Sequence, residues 1–380
     1  MKNPRKHILF LCSWFPNREK PLEGNFILKH ATYIQRFADV HLCFARSSKE
    51  NKTKFEVEES SIEGVKITKV YYRSSSLPLL KSFINLKRYI KALKIAYAKG
   101  ERNYDLAHVN VAFPAGLFAL HLKRKYKLPY IITEHWSGYL SATKLYEKSS
   151  LFVKKLHQNI FKEAQKVFTV SKTLGEALQQ NQLINEFDTL PNYIDLDLFQ
   201  PQSEKLSKFT FVHVSTVDEA TKNFSGILQA LAQLKEEGLG FQFNLVVEAN
   251  TEQVKAKLNE YGLSDLTKLY SYIDAAKVAE LMGQSHCLIQ FSNFETFSIV
   301  LAEAWLTGLP CVYSKCGGLT DVQDPTLGIQ VTPKQVDELV NALRKVMLSI
   351  ENYSPIEIHN TSKKFLNPTQ IKDKYLRILS

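Results

Sequence analysis

"CLIQFSNFETFSIVLAEAWLTGLPCVYS" (residues 287–314) decides how this chain folds. It opens on a short apolar run, Cys287 to Ser292, that reads as a buried strand. The loop "NFET" follows, then an apolar segment with helical spacing from Phe297 to Thr307, then a second strand, "LPCVYS". Strand, helix and strand in succession are the unit of a parallel sheet covered by helices. Thr296 is the expected helix cap, Gly308 the expected stop, and Pro310 forbids continuation. At about 100° per residue, Phe297, Val300, Leu301 and Ala304 share a face, with Ile299 and Leu306 on the other side. The helix is therefore apolar nearly all round and reads as buried. Glu303 sits inside it, and Glu295 lies eight residues earlier at its start.

A buried carboxylate is costly unless it accepts hydrogen bonds, and sugar or ribose hydroxyls would supply them to Glu303. Continuous helical rise puts Glu295 roughly 12 Å from it, within reach of one extended ligand. The free N–H groups of a helix start between them suit a phosphate. A sugar, a phosphate and a ribose in a row describe a nucleotide sugar.

The same alternation runs outward in both directions. "HILFLCSW", "DVHLCFA", "DLAHVNV", "PYIITEH" and "KVFTVS" read as strands in the first half, with helical stretches such as 83–99 and 151–164 between them. "FTFVHVS" restarts the pattern at 209, and "FNLVVEA" continues it. A length of 380 residues suits two such domains, and the polar stretch Asn192 to Lys208 reads as their link. Two doubly wound domains leave a cleft, and ligands of open parallel sheets sit beyond the carboxyl ends of the strands.

The net charge of +11 is uneven: residues 1–200 hold 32 Lys/Arg against 18 Asp/Glu, and residues 201–380 hold 17 against 20. The basic first half suits an anionic partner. Nucleic acid is not favoured, because no helix-turn-helix, zinc or aromatic-strand signature accompanies the charge. The five cysteines show no metal spacing, and four lie in apolar strand-like runs, as in a reduced cytosolic protein. The apolar run Ile8 to Cys12 is too short for a signal peptide, and no stretch approaches the roughly 18 apolar residues of a membrane span. The expected location is cytoplasmic, with peripheral contact at the inner face of a membrane.

The pair E-x7-E at Glu295 and Glu303, followed by Gly308-Leu309-Pro310 and the glycine pair Gly317-Gly318, resembles the donor-site signature of retaining glycosyltransferases of the GT-B fold, family 4. The resemblance covers nearly the whole chain. It implies an α/β fold of two Rossmann-like doubly wound domains with an interdomain cleft. Residues 1–195 would form the acceptor side, joined by a C-terminal helix 366–380, and 196–365 the donor side. It also implies that Glu295 contacts the donor sugar and Glu303 the ribose. Thr296, Phe297 and Ser298 would offer backbone amides where the family usually has Gly-Phe-Gly. "LPNYIDLDLFQP" resembles the domain junction, and "VSKTLGEAL" the end of the first domain. Lys222, followed by Asn223, matches the lysine that clamps the donor diphosphate, but Thr216 stands where the family has arginine. One cation fewer weakens a diphosphate clamp. Gly24 resembles the glycine of the first loop, where backbone approaches the donor phosphate or acceptor. His135 resembles a histidine beside the reacting sugar carbon, with Glu134 its neighbour; an ordinary structural histidine is the alternative. "HVNVAFPAG" (108–116) is another strand-end loop that could line the acceptor side, and Glu248 in "VVEAN" is assigned no role.

The activity implied is transfer of a hexosyl group from a nucleotide sugar to a glycan or lipid-linked acceptor, in polysaccharide or lipopolysaccharide synthesis, without cofactor or metal. Glu295, His135 and Lys222 are the catalytic candidates. The alternatives are an epimerase, hydrolase or phosphorylase on the same fold, or a catalytically silent partner subunit. The helix around Phe83, Leu86, Ile90, Leu93 and Tyr97 carries Lys81, Lys87, Arg88, Lys91, Lys94, Lys99 and Arg102, so it reads as basic and amphipathic. "LKRKYK" (122–127) and residues 153–166 add further lysines. Such helices lie on anionic bilayers or pack on their own sheet with a solvated lysine face.

Overall fold

A computed structural model describes residues 5–379 apart from 52, 78, 79, 102, 249, 250 and 272. Arg102 of the basic helix, Ala249 and Asn250 of "VVEAN", and Ser380 lie outside the described residues. The chain divides into two compact units, residues 1–193 with 368–380, and residues 194–367.

The first unit runs β1 (His7–Cys12), α1 (Asn25–Gln35), β2 (Asp39–Ser48), β3 (Phe55–Ile62), β4 (Val65–Arg73), α2 (Lys81–Ala98), β5 (Leu106–Asn110), α3 (Gly116–Tyr126), β6 (Tyr130–Glu134), α4 (Leu151–Lys162), β7 (Lys166–Thr169), α5 (Lys172–Gln180) and β8 (Asp188–Thr189). A helix Thr369–Leu379 completes it. The sheet order is β3-β4-β2-β1-β5-β6-β7-β8, parallel except for β3 against β4. That edge hairpin turns on Glu63 and Gly64, both at positive φ, as a tight two-residue turn requires. The central strands are buried along almost their whole length because helices cover both faces, as β1, β5 and β6 show. The order reverses between β1 and β5, and Ser13 stitches the loops there. Its hydroxyl donates to Val111 O at 2.7 Å and accepts from Ala115 N at 3.0 Å.

The second unit runs β9 (Thr210–Ser215), α6 (Glu219–Lys222), α7 (Phe224–Glu236), β10 (Gln242–Val247), α8 (Thr251–Glu260), β11 (Thr267–Ser271), α9 (Ala275–Gln284), β12 (Cys287–Gln290), α10 (Ile299–Leu306), β13 (Cys311–Ser314), β14 (Gly328–Val331), α11 (Val336–Leu348) and α12 (Pro355–Leu366). All its strands are parallel, in the order β11-β10-β9-β12-β13-β14. Phe211, Phe243, Leu245, Ile289 and Val312 from the strands pack with Ile227, Leu231 and Leu343 from the helices in one core. The order reverses between β9 and β12, the topological switch point at which such sheets hold ligands.

One expectation about helices needs correction, and one of two alternatives for α2 is resolved. The helix that carries Glu303 starts at Ile299, and Ser298 precedes it in a left-handed conformation (φ 75°, ψ 72°), so Thr296 is not its cap. The reason is geometric: the chain turns into the helix through a left-handed residue, so the cap position falls two residues later than hydroxyl chemistry suggested. The 1.5 Å rise consequently does not apply between Glu295 and Ser298, so the 12 Å spacing cannot be worked from helical rise. In α2 the buried face is Tyr89, Ala92, Leu93 and Ala96, laid on β2 and β4, whereas Phe83 is exposed. The apolar face of that helix is thus taken by its own sheet. All five cysteines are free thiols. No described helix is long and apolar enough to cross a membrane.

Candidate functional site

In the second unit the site is built from two adjacent strand ends at the switch point. β9 ends at Ser215, and the short α6 ends at Lys222. Asp218 starts α6 by accepting the N–H of Thr221 at 2.9 Å. Asn223 follows in the left-handed region (φ 47°), which asparagine tolerates, and serves as the backbone N-cap of α7. Asn293, from the loop after β12, fastens α6 in place. Its N–H donates to Thr221 O at 2.7 Å, and its amide donates to Ala220 O at 3.0 Å. Lys222 is thereby brought to Glu295, with Nζ and Oε1 2.5 Å apart. The two side chains are 21% and 12% exposed, so solvent reaches the pair and screens it in part.

Oε1 of Glu295 also accepts from Ser292 Oγ at 2.9 Å and Gln290 Nε2 at 3.3 Å. Among the described residues no donor reaches Oε2. Gln290 Nε2 also donates to the hydroxyl of Ser298, which holds the residue in its left-handed conformation. Gly317 packs directly on Glu295: a Cβ there would lie 2.5 Å from Glu295 Cβ and 2.8 Å from its carbonyl oxygen, and φ is +89°. The glycine pair of the sequence thus has a steric cause at Gly317, the close passage of the Glu295 backbone. Thr296 is half-buried and Phe297 buried, and the backbone N–H groups of Thr296, Phe297 and Ser298 make no hydrogen bond among the described residues. Thr216 is exposed, immediately beyond β9. Glu303 is buried at 7% exposure in α10 and is engaged by a partner within the chain.

Three residues of this site were missed by sequence reasoning: Gln290, Asn293 and His213. His213 is buried in β9; Nδ1–H donates to Ile289 O at 2.8 Å, which leaves Nε2 to accept from Ser215 Oγ at 2.7 Å. Ser215 Oγ in turn accepts the N–H of Val217 at 3.0 Å. This chain ties β9 to β12 and sets the loop that leads to Lys222. Burial, with Lys222 adding to it, pushes the imidazole down to about 4, so it stays neutral. The available signal was a polar residue in the middle of an otherwise apolar strand, at His213 and again at Gln290.

The first unit holds the other two candidates. Gly24 (φ +69°) stands at the start of α1, where a Cβ would lie 2.9 Å from Trp14 C. Its close backbone neighbour in the structure is therefore the chain's own loop after β1. His135, one residue past β6, is buried, and both ring nitrogens lack a partner among the described residues. Phe26 of α1 lies over its ring, 4.6 Å between centroids. Burial, assisted by His30, pushes the His135 imidazole down to about 3. Glu134 is fully buried and accepts three backbone N–H groups: Ala112 at 2.9 Å, His135 at 2.8 Å and Trp136 at 2.9 Å. It clasps the loops after β5 and β6 together. Burial raises its carboxyl above the usual range, against the pull of those donors. In "HVNVAFPAG", His108 is likewise internal, bonded to Thr133 Oγ1 at 2.7 Å and to the Tyr375 hydroxyl. Glu248 is exposed beyond β10.

The two Rossmann-like units form the GT-B fold, and the second carries a Lys–Glu pair at its switch point. The model of "Glycosyltransferase Family 4" matches residues 25–198, and that of "Glycosyl transferases group 1" matches residues 194–357. The chain belongs to the family 4 type of GT-B glycosyltransferases. It is 25% identical over 263 residues to the MMP alpha-(1->4)-mannosyltransferase of Mycolicibacterium hassiacum, across 64% of this chain and 62% of that one. That match spans less than two thirds of the mannosyltransferase. TuaC of Bacillus subtilis, whose name assigns it to teichuronic acid biosynthesis, is 23% identical across 89% of this chain and 88% of its own. Anabaena HepE, solved in complex with UDP and glucose, has the same fold at a TM-score of 0.73 and 17% identity, covering 99% of both chains.

Proposed function

We propose that this glycosyltransferase moves a hexosyl group from a nucleotide sugar to a glycan or lipid-linked acceptor, with retention, in the synthesis of a cell-surface polysaccharide or lipopolysaccharide. The observation that carries the reading is the Lys222–Glu295 pair beside the free N–H groups of Thr296 to Ser298. Departure of a nucleoside diphosphate develops negative charge, and a cation with backbone N–H donors offsets it. Lys222 takes that part, with no metal ion in the role. Glu295 offers Oε2 to the sugar hydroxyls, and Gln290 and Ser292 hold the carboxylate in orientation. His135, neutral and with both nitrogens unpartnered, is a hydrogen-bonding group for a substrate hydroxyl. Glu303 binds the ribose, and Thr216 leaves the diphosphate with one cation fewer than the family pattern. HepE's complex with UDP and glucose and TuaC's name support the donor and pathway classes. The basic first half supports action at the inner membrane face, from the cytoplasm.

The test is a thermal-shift panel of UDP, GDP and CDP and their sugars, run beside Glu303→Ala. A shift with one nucleotide, lost in the variant, supports the donor site and names the base. Binding without turnover in the presence of acceptor extracts favours a silent partner subunit, and turnover without acceptor favours a hydrolase or epimerase. No shift with any nucleotide overturns the reading.

A further inference from the structure

We propose that Gln290 is a positioning residue for both ends of the donor: through Glu295 it orients the carboxylate offered to the sugar, and through Ser298 it fixes a backbone N–H offered to the diphosphate. The proposal deepens the glycosyl-transfer reading and rests on it.

Gln290 is the last residue of β12 and is buried. Its Nε2 carries two hydrogens, and both are used. One goes to Glu295 Oε1 at 3.3 Å and the other to the Ser298 hydroxyl. No other described side chain bonds both of these residues, and the hydroxyl of Ser292 reaches Glu295 without Ser298. Oε1 of Gln290 is buried and accepts from no described residue. Turning the amide over would set that oxygen against the Glu295 carboxylate, so the two bonds of Nε2 fix its orientation.

The strand itself gives no reason for an amide. Cys287, Leu288 and Ile289 before it are apolar and fully buried, and a buried oxygen without a donor is destabilising. The reason lies in the loop. Ser298 stands in the left-handed region (φ 75°, ψ 72°), which disfavours every residue except glycine and, to a lesser degree, asparagine or aspartate. Its bond from Gln290 holds it there. Without that bond Ser298 is free to leave the conformation, and its N–H, which makes no hydrogen bond among the described residues, loses its fixed direction. The carboxylate end responds differently. Oε1 of Glu295 keeps Lys222 and Ser292 when Gln290 is removed, so Glu295 is loosened and not released. One amide thus governs two functions that separate on substitution.

The test makes Gln290→Leu twice, in the wild type and in Ser298→Gly, because glycine takes the left-handed conformation unaided. Titration calorimetry of the full chain uses whichever of UDP, GDP and CDP it binds. Transfer is read as acceptor-dependent release of that diphosphate from its nucleotide sugar, with acceptor extracts. In the wild-type background Gln290→Leu should weaken the diphosphate about tenfold and lower kcat about tenfold. In the Ser298→Gly background the same change should weaken the diphosphate by less than about twofold, while the fall in kcat persists. Ser292→Ala loosens Glu295 alone, so it should lower kcat without the loss of diphosphate affinity. A general loosening of the fold would instead weaken binding equally in both backgrounds, and that result overturns the proposal. So does unchanged diphosphate affinity in Gln290→Leu. Gln290→Met, which keeps the length of the side chain, makes the same comparison if the leucine variant does not fold. A wild type that binds none of the three diphosphates overturns the glycosyl-transfer reading and this proposal with it. Binding by the wild type with no difference between the two backgrounds overturns this proposal alone.

Discussion

Replacing Glu295 by Gln should tighten binding of the free nucleoside diphosphate while it slows transfer. Lys222 Nζ lies 2.5 Å from Glu295 Oε1, so the carboxylate neutralises the cation assigned to the diphosphate. A phosphate on Lys222 lies roughly 5 Å from that carboxylate; at an effective dielectric of about 40, their repulsion is about 1.7 kcal/mol. Partial exposure of both side chains discounts this to about 1 kcal/mol, or some fivefold in Kd. Gln keeps the size of the side chain and can still accept from Ser292. Lys222→Gln removes a charge-assisted contact and should weaken the same ligand by about 2 kcal/mol, roughly thirtyfold. Titration calorimetry with the preferred nucleoside diphosphate reads both changes, and kcat with the intact donor reads the loss of transfer in Glu295→Gln. Equal weakening of diphosphate in both variants would refute the reasoning, because Glu295 would then be a direct support of the nucleotide.

Other consequences concern the frame around the site. Glu134→Ala strands three buried N–H groups and should cost about 4–6 kcal/mol, whereas Glu134→Gln keeps an acceptor for His135 and Trp136 and should cost about 2 kcal/mol, both read from urea unfolding midpoints. Ser298→Gly relieves a left-handed serine but loses the bond from Gln290, a near-cancellation within about 0.5 kcal/mol; Ser298→Ala keeps the strain and loses the bond, so it should be less stable than the glycine variant by about 1 kcal/mol. Equal stability of the two would remove the strain argument. Burial holds His30, His41, His157 and His213 near 4 and His135 near 3, all below the unfolded value of 6.5. With depressed folded pKa values, their stabilising effect is complete above pH 6.5 and is lost as the pH falls toward 4. At pH 5.5 each contributes about 1.4 kcal/mol of destabilisation, at most about 7 kcal/mol in sum, so Tm should fall steeply between pH 7 and 5.5. A flat Tm over that range would show that these rings protonate in place.

Much of the fold was legible because parallel strands buried on both faces write themselves as unbroken apolar runs. "HILFLCSW" and "CLIQFS" are strands β1 and β12, and the alternation between them carries the architecture. The hairpin of β3 and β4 was not read, because β3 is mostly exposed and carries Glu56, Glu58 and Glu59 along the edge of the sheet. Glu295 and Lys222 stand out in the sequence through their motif, but their direct pairing depends on Asn293, which locks α6 to a loop some seventy residues away. His213 was hidden because its partner Ile289 lies on the neighbouring strand, where only register brings them together, and Gln290 because the loop after its own strand folds back to set Glu295 and Ser298 on its amide. Ser298 shows the limit of cap rules, since the backbone conformation and not the hydroxyl decided where α10 begins.

The most direct test of the donor site follows nucleoside diphosphate release from the preferred nucleotide sugar, with acceptor extracts present, in the wild type, Lys222→Gln and Glu303→Gln. Acceptor-dependent release by the wild type, lowered at least about a hundredfold at saturating donor in Lys222→Gln, is the expected result. A higher donor KM in Glu303→Gln with kcat little changed would place that carboxylate on the ribose. Release that continues undiminished without Lys222 would contradict the assignment of the leaving diphosphate to the Lys222–Glu295 site.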